Sequence, residues 1–431
     1  MSARRTPLWG YLTAQAVSIT GTRLSMIAIP WFVLTTTGSA TRTGLVAFAE
    51  MAPLVLLQFL SGPVIDRLGA RRVAITCDWG SALVVGAVPL LHALGLLTFP
   101  ALLGLVAVAG ALRGPGDAAR HAMLPLLVAH SHLPTERVTG LDGTVERTAS
   151  LAGAAIAGGV VAAVGGADAL VVDAASFLVS AVILVATTRG LATAPAPGET
   201  TPPPSRVRAY LHELREGWTF TRRDPVLMGI AVMVAITNLL DQAWSVVLVP
   251  VWAHDSGNGV AAVGILAATF GGAAVLGSLV ATAYAERLPR YLTYLLCFFL
   301  GGVPRFVALA LDAPLWTILL VAVVGGCAAG FINPVLGAVL FERTPQHLMG
   351  RVSAMNIAMS WSLIPLGGVL GGLAVGAFGL APALLVVGGA YLVTTLAPAV
   401  QPRWREMDRR PASRVTDPAS VGVSAGTPGP A

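Results

Sequence analysis

The residues of this chain best suited to chemistry are the ionisable ones that interrupt its long apolar runs. Arg23, Glu50 and Asp241 lie deep inside such runs, and Arg113 and Glu146 lie one or two turns inside the ends of two others. A charge in hydrocarbon costs about 2.5–3.5 kcal/mol even on insertion scales, so each needs a partner or a function. Counted at 1.5 Å per helical residue from the arginine-rich run ends, Arg23 falls roughly 21 Å, Glu50 roughly 24 Å and Asp241 roughly 24 Å into a bilayer. One layer, slightly beyond the midplane, is therefore expected to hold all three. Proton exchange is the chemistry they suit. A neighbouring guanidinium favours an ionised carboxylate, loss of water favours the neutral acid, and a change of access can reverse which prevails. Glu50 and Asp241 are the expected exchanging groups, tuned by Arg23; the alternative is a static Arg23–Glu50 pair locking the first two apolar segments together. Arg305 and Asp173 are expected in packing pairs, and Asp78 near a loop. Around these charges Asn238, Asn333 and Asn356 offer polar contacts, and Phe48, Trp244 and Trp361 offer apolar walls for a greasy small molecule.

Enzyme chemistry has little footing. The chain contains no lysine, which excludes a G-x-x-x-x-G-K-[ST] phosphate loop, and it has no G-x-S-x-G, H-E-x-x-H or C-x-x-C pattern. Cys77, Cys297 and Cys327 sit inside apolar runs and read as small packed hydrophobes. No cofactor, no metal and no enzymatic activity is expected. The composition, 55% apolar and 11% charged, is far from the roughly 25% charged residues of soluble domains. A net charge of +6 without a basic cluster argues against a nucleic-acid partner.

The elements that position the charges are membrane helices. About 20 apolar residues cross a bilayer, and such runs fall at roughly 9–34, 43–66, 73–95, 98–119, 138–165, 168–188, 225–252, 259–285, 291–311, 313–341, 350–378 and 380–400. The expected class is an all-α membrane protein of twelve transmembrane helices. Arg4, Arg5, Arg67, Arg71, Arg72, Arg120, Arg137, Arg343, Arg351 and the cluster from Arg189 to Arg223 all mark alternate junctions, with Arg42 the clear exception opposite. Both termini are thus expected on the cytoplasmic side of the inner or plasma membrane. Tryptophans at the run ends (Trp9, Trp31, Trp218, Trp252, Trp316 and Trp404) fit interfacial belts. Four units are expected: a six-helix bundle over 1–188, a cytoplasmic linker over 189–224, a second bundle over 225–400 and a disordered tail over 401–431. Within the linker a Pro-rich stretch precedes an amphipathic segment whose Val207, Leu211, Leu214 and Trp218 share one face, suited to lying on the membrane.

Internal repetition ties the two sets of six together. Asp66-Arg67-Leu68 recurs as Glu286-Arg287-Leu288, and Gly153, Gly158 and Gly165 recur as Gly367, Gly372 and Gly379 at a similar offset. With "GPVIDRLGARR" after the second run, this 6+6 pseudo-repeat resembles the major facilitator superfamily. The family's loop signature maps onto Gly62, Asp66, Arg67, Gly69, Arg71 and Arg72, with Ala70 at a position that is normally basic. The resemblance implies a cytoplasmic gate at Asp66 and Arg67, with Glu286 and Arg287 as its repeat. "RGPGDAARHAMLP", "DAASF", "GFINP" and "GRVSAMN" are similar to the macrolide-efflux and enterobactin-exporter type of drug:proton antiporter. Gly158 and Gly159 match the span-five motif of drug antiporters, while Ala154 and Ala155 replace its Gly-Pro. Arg113 is similar to a span-four arginine implicated in proton transfer. The function implied is proton-coupled efflux of hydrophobic or amphiphilic small molecules by alternating access, acting as a monomer with small molecules, protons and lipid as partners. The alternatives are a proton-coupled importer or siderophore transporter, and a non-transporting membrane sensor.

Overall fold

The computed structural model describes residues 5–191, 206–284 and 289–408, with side chains from 215 onward in the helix Arg206–Arg223. Glu286, Arg287, the Pro-rich part of the linker and the tail beyond 408 lie outside the described residues, as do Val207, Leu211 and Leu214 at side-chain level. Twelve helices among the described residues are long and apolar enough to cross a membrane. We label them α1 (Thr6–Thr37), α2 (Ala40–Leu60), α3 (Ala70–Ala93), α4 (Phe99–Ser131), α5 (Thr135–Val164), α6 (Gly166–Thr187), α7 (Pro225–Asp255), α8 (Gly259–Tyr284), α9 (Arg290–Ala310), α10 (Leu315–Arg343), α11 (Gln346–Phe378) and α12 (Leu380–Val400).

Their ends follow local chemistry. Gly38, at φ 61°, closes α1 by returning its N–H to Leu34 O at 2.8 Å, a left-handed turn that glycine makes without strain. Asp224 starts α7 by accepting from the N–H groups of Val226 (2.9 Å) and Leu227 (3.1 Å). Two expected spans differ. The segment 43–66 breaks after Leu60, and Gly62–Leu68 forms its own short helix, because Pro63 suits a first helical turn and Gly69, at φ 84°, ends it. α4 runs on to Ser131, well past the apolar run, because packed neighbours supply partners for charges on its extension.

Packing exposes the repeat. In the first half α1 packs on α5 and α6, α2 on α4, and α3 on α4 and α6. In the second, α7 packs on α11 and α12, α8 on α10, and α9 on α10 and α12. Adding six to each helix number converts one set into the other. The two largest contacts between halves, α2 with α11 and α5 with α8, are also exchanged by that operation.

Those two seams rely on glycine. A Cβ on Gly158 would come within 2.8 Å of Gly264 Cα, and one on Gly372 within 2.6 Å of Ala40 O. Thr41 Oγ1 donates to Gly372 O across the second seam at 3.2 Å. These residues lie at the end of the bundles remote from Thr6 and Val400, where Trp31 and His254 also meet, ring centroids 6.1 Å apart. Small residues let backbones approach where lipid offers no hydrophobic driving force.

The linker helix Arg206–Arg223 departs from a purely surface role. Gly217 abuts the backbone of Arg351 in α11, where a Cβ would lie 2.6 Å from its carbonyl oxygen, and Glu216 pairs with Arg351. The tryptophan belt is partial: Trp9 and Trp316 are exposed, but Trp252 and Trp404 are buried. Trp404 stacks on Tyr294 at 5.7 Å over Gly229, whose missing side chain admits the ring.

Candidate functional site

Between the halves lies a cavity of about 590 Å³, within the range that encloses drug-sized ligands. The second half supplies most of its wall from α7, α8, α9 and α10; the first half contributes Arg23, Met26 and Ile27 from α1 and Ala154 from α5.

α7 is shaped for this wall. Trp244–Leu248 is a π-turn, with Val249 N–H bonded to Trp244 O five residues back. The next residue, Pro250, has no N–H to continue the ordinary ladder. Such single-turn bulges redirect side chains; here Trp244 and Ser245 reach the cavity.

Arg305 of α9 donates to Asp241 of α7. Its guanidinium lies 4.9 Å from the Trp244 ring centroid, 5.0 Å from Phe306, 5.5 Å from Tyr391 and 5.9 Å from Phe270. Ring faces attract a cation most where water is excluded, so the aromatic box stabilises Arg305 independently of its carboxylate partner. Asp241 and Asn238 are one helical turn apart, and Asn238 donates to Ser360 O of α11 at 2.9 Å while still lining the cavity.

Arg23 occupies the opposite wall. It donates to Ser150 Oγ of α5 at 3.0 Å and contacts Met26 Sδ at 3.4 Å. The Arg23–Glu50 pair weighed as the static alternative does not form. Glu50 pairs instead with Arg113 at 3.0 Å, between α2 and α4. Gly110 allows this by bringing the α4 backbone against that of Glu50. Glu50 is buried and does not line the cavity, so the expected common layer separates into two cavity charges and one sealed pair. Arg113, expected near a helix end, is level with Glu50 because α4 extends so far beyond it.

A second buried network joins five helices of the first half. Arg120 Nη2 donates to Asp78 at 2.6 and 2.7 Å and to Ser180 at 3.1 Å, and Ser180 donates to Asp78 at 2.7 Å. Nearby, Tyr11 and Gln15 donate to Asp142 at 3.2 and 2.9 Å. Asp78, expected beside the loop, thus belongs to the bundle interior. Asp173 accepts from Ser25 and from Ser176 (3.2 Å), both hydroxyls, rather than from a cation.

The other expected residues disperse. Asn333 and Trp244 line the cavity; Phe48 and Asn356 are half-buried elsewhere, Trp361 is exposed, and Glu146 is exposed on α5. In the loop signature Asp66, Arg67 and Arg72 are exposed, and neither Asp66 nor Arg67 makes an ion pair among the described residues. Gly62 faces open space. Arg71 donates to Thr188 Oγ1 at 2.8 Å and Val185 O at 3.4 Å, closing the end of α6, where cations suit the free carbonyls. The sequence reading placed Arg305 in a packing pair and singled out Trp244 of its aromatic box, but not Phe270, Phe306 or Tyr391. The available signal was charge complementarity: Asp241 and Arg305 are opposite charges inside apolar runs of the same half.

A family model described as transmembrane secretion effector matches residues 6–425. The multidrug efflux pump Tap of Mycobacterium tuberculosis is 30% identical over 423 residues, covering 97% of this chain and 98% of its own. Tap of Mycolicibacterium fortuitum is 30% identical over 412 residues, 94% of this chain and 98% of its own. Among solved structures, a variant of the nucleoside transporter NupG superposes with a TM-score of 0.74 at 15% identity, over 94% of this chain and 100% of that one, a likeness of fold.

Proposed function

The chain belongs to the transmembrane secretion effector family of major facilitator transporters, and from that premise we propose that it is a proton-coupled exporter of hydrophobic or amphiphilic small molecules. It is a multi-pass membrane transporter, not an enzyme. The observation that carries the export reading is the cavity between the halves, with an aromatic wall and a carboxylate on its surface. The names of the two Tap relatives support the same direction and cargo.

In this reading 1–188 and 225–400 act as two rocking bundles joined by the linker 189–224, in a monomer. The glycine seams hold them together at the end remote from the termini. The arginine distribution supports cytoplasmic termini, so the end opposite the glycine seams faces the cytoplasm. The 62–69 segment, whose Asp66 and Arg67 make no ion pair among the described residues, engages when that end closes. Coupling is assigned to Asp241. Protonating it dissolves the pair with Arg305, whose charge the surrounding rings continue to stabilise; deprotonation restores the pair and resets the α7–α9 wall. Glu50, sealed against Arg113 away from the cavity, takes the static role.

The test is sided transport. Inverted vesicles acidified inside are expected to accumulate a fluorescent amphiphile, and a protonophore is expected to abolish the accumulation. Uptake that persists after the gradient is collapsed, or accumulation in right-side-out vesicles alone, overturns the reading.

A further inference from the structure

Three ionisable side chains line the cavity: Arg23, Asp241 and Arg305. Two of them, Asp241 and Arg305, answer each other. Arg23 forms no ion pair among the described residues. Its head is held by one hydroxyl and one thioether, and its Nε–H is enclosed without an acceptor. Glu50, its partner in the static alternative, is already engaged by Arg113. The wall therefore carries one positive charge with no carboxylate in contact, Glu146 and Asp117 acting on it only from a distance, and an anion in the cavity would complete it.

The side chain is also built into place. Gly153 of α5 lies under its stem, where a Cβ would come within 3.0 Å of Arg23 Cβ and 3.2 Å of its Cγ. Ser150, one turn earlier on the same helix, then fixes the guanidinium.

We propose that the cavity selects amphiphiles bearing an anionic group, a carboxylate above all, with Arg23 as its anchor. The acid meets the guanidinium, and the apolar body lies against Trp244, Leu266 and Phe270. A cationic head finds no free counterpart, because the one carboxylate on the wall is held by Arg305. This assignment rests on the transporter reading above and specifies its cargo.

The experiment is equilibrium binding to the full chain in lipid nanodiscs, using dansyl-labelled undecanoic acid and its methyl ester. A charge-assisted hydrogen bond predicts that the acid binds about tenfold tighter than the ester or more. Arg23→Gln is expected to erase that preference by weakening binding of the acid far more than of the ester, and Arg23→Lys to keep most of it. Equal binding of acid and ester by the wild type, or a preference that survives Arg23→Gln, overturns the assignment. Should Arg23→Gln fail to fold, the wild-type comparison decides, and an ester-preferring Arg23→Lys counts against the proposal. Acid preference without transport upholds the anion site and counts against the exporter reading; equal binding with vigorous transport does the reverse.

Discussion

Arg305 and Asp241 join α9 to α7 across the cavity wall, yet they face it unequally: the arginine side chain is 12% exposed and the aspartate 41%. The carboxylate is the member that water in the cavity reaches, while four rings enclose its partner. A proton arriving through the cavity therefore meets the acid first.

Asp241→Asn removes the titrating group while keeping its shape and an acceptor for Arg305. Gradient-driven accumulation in inverted vesicles is expected to fall at least about tenfold, the scale of losing one charge-assisted contact. Exchange down a substrate gradient should persist and lose its pH dependence. An Asp241→Asn protein that accumulates substrate normally at every pH would leave coupling to another group.

Glu50→Gln is expected to behave differently. Glu50 is sealed between α2 and α4, so coupling should survive, while Arg113 is left without its counter-charge. A buried pair broken on one side costs about 3–5 kcal/mol. Thermal unfolding in detergent should show the loss, and a pH profile of transport should match wild type.

Arg120→Met isolates Asp78 inside the first bundle, again at a cost of about 3–5 kcal/mol. Adding Asp78→Leu removes the stranded charge and should recover much of it. A double variant no more stable than Arg120→Met would show that the Asp78–Arg120 pair does not govern the stability of this region.

Gly264→Val places a branched side chain where even a Cβ would come within 2.7 Å of Gly158 Cα. The α5–α8 seam is expected to open, with export falling at least about tenfold because one access state is lost. The readout is maleimide labelling of Ile27→Cys in a background lacking Cys77, Cys297 and Cys327. Labelling should rise from the side remote from the termini; unchanged labelling with lost transport would place the defect elsewhere.

Depth is a one-dimensional property, and the chain states it openly. Twelve apolar runs, alternating arginines and two offset glycine patterns are enough to place twelve helices and pair their halves, because a bilayer enforces helix length and backbone satisfaction everywhere. Arg23, Asp241, Asn238, Asn333 and Trp244 were legible on the same ground, as polar or aromatic residues within apolar runs, and all line the cavity.

Partnership is three-dimensional and was not legible. Glu50 lay at the same counted depth as Arg23 but chose Arg113, because Gly110 brings α4 close to α2 and no count along one helix records its neighbour. Arg305, expected in a packing pair, lines the cavity against Asp241 and the rings of Trp244, Phe306 and Tyr391, which no spacing along α9 records. The sequence alone determined which runs are long and apolar enough to cross a membrane, since hydrophobic length decides that, whereas the depth of Arg113 and Asp78 depended on how far α4 extends and what packs against it. Only the tertiary structure decided which charges neutralise one another and which one, Arg23, is left facing the cavity, since that depends on helix rotation and the glycine contacts that set interhelical distance.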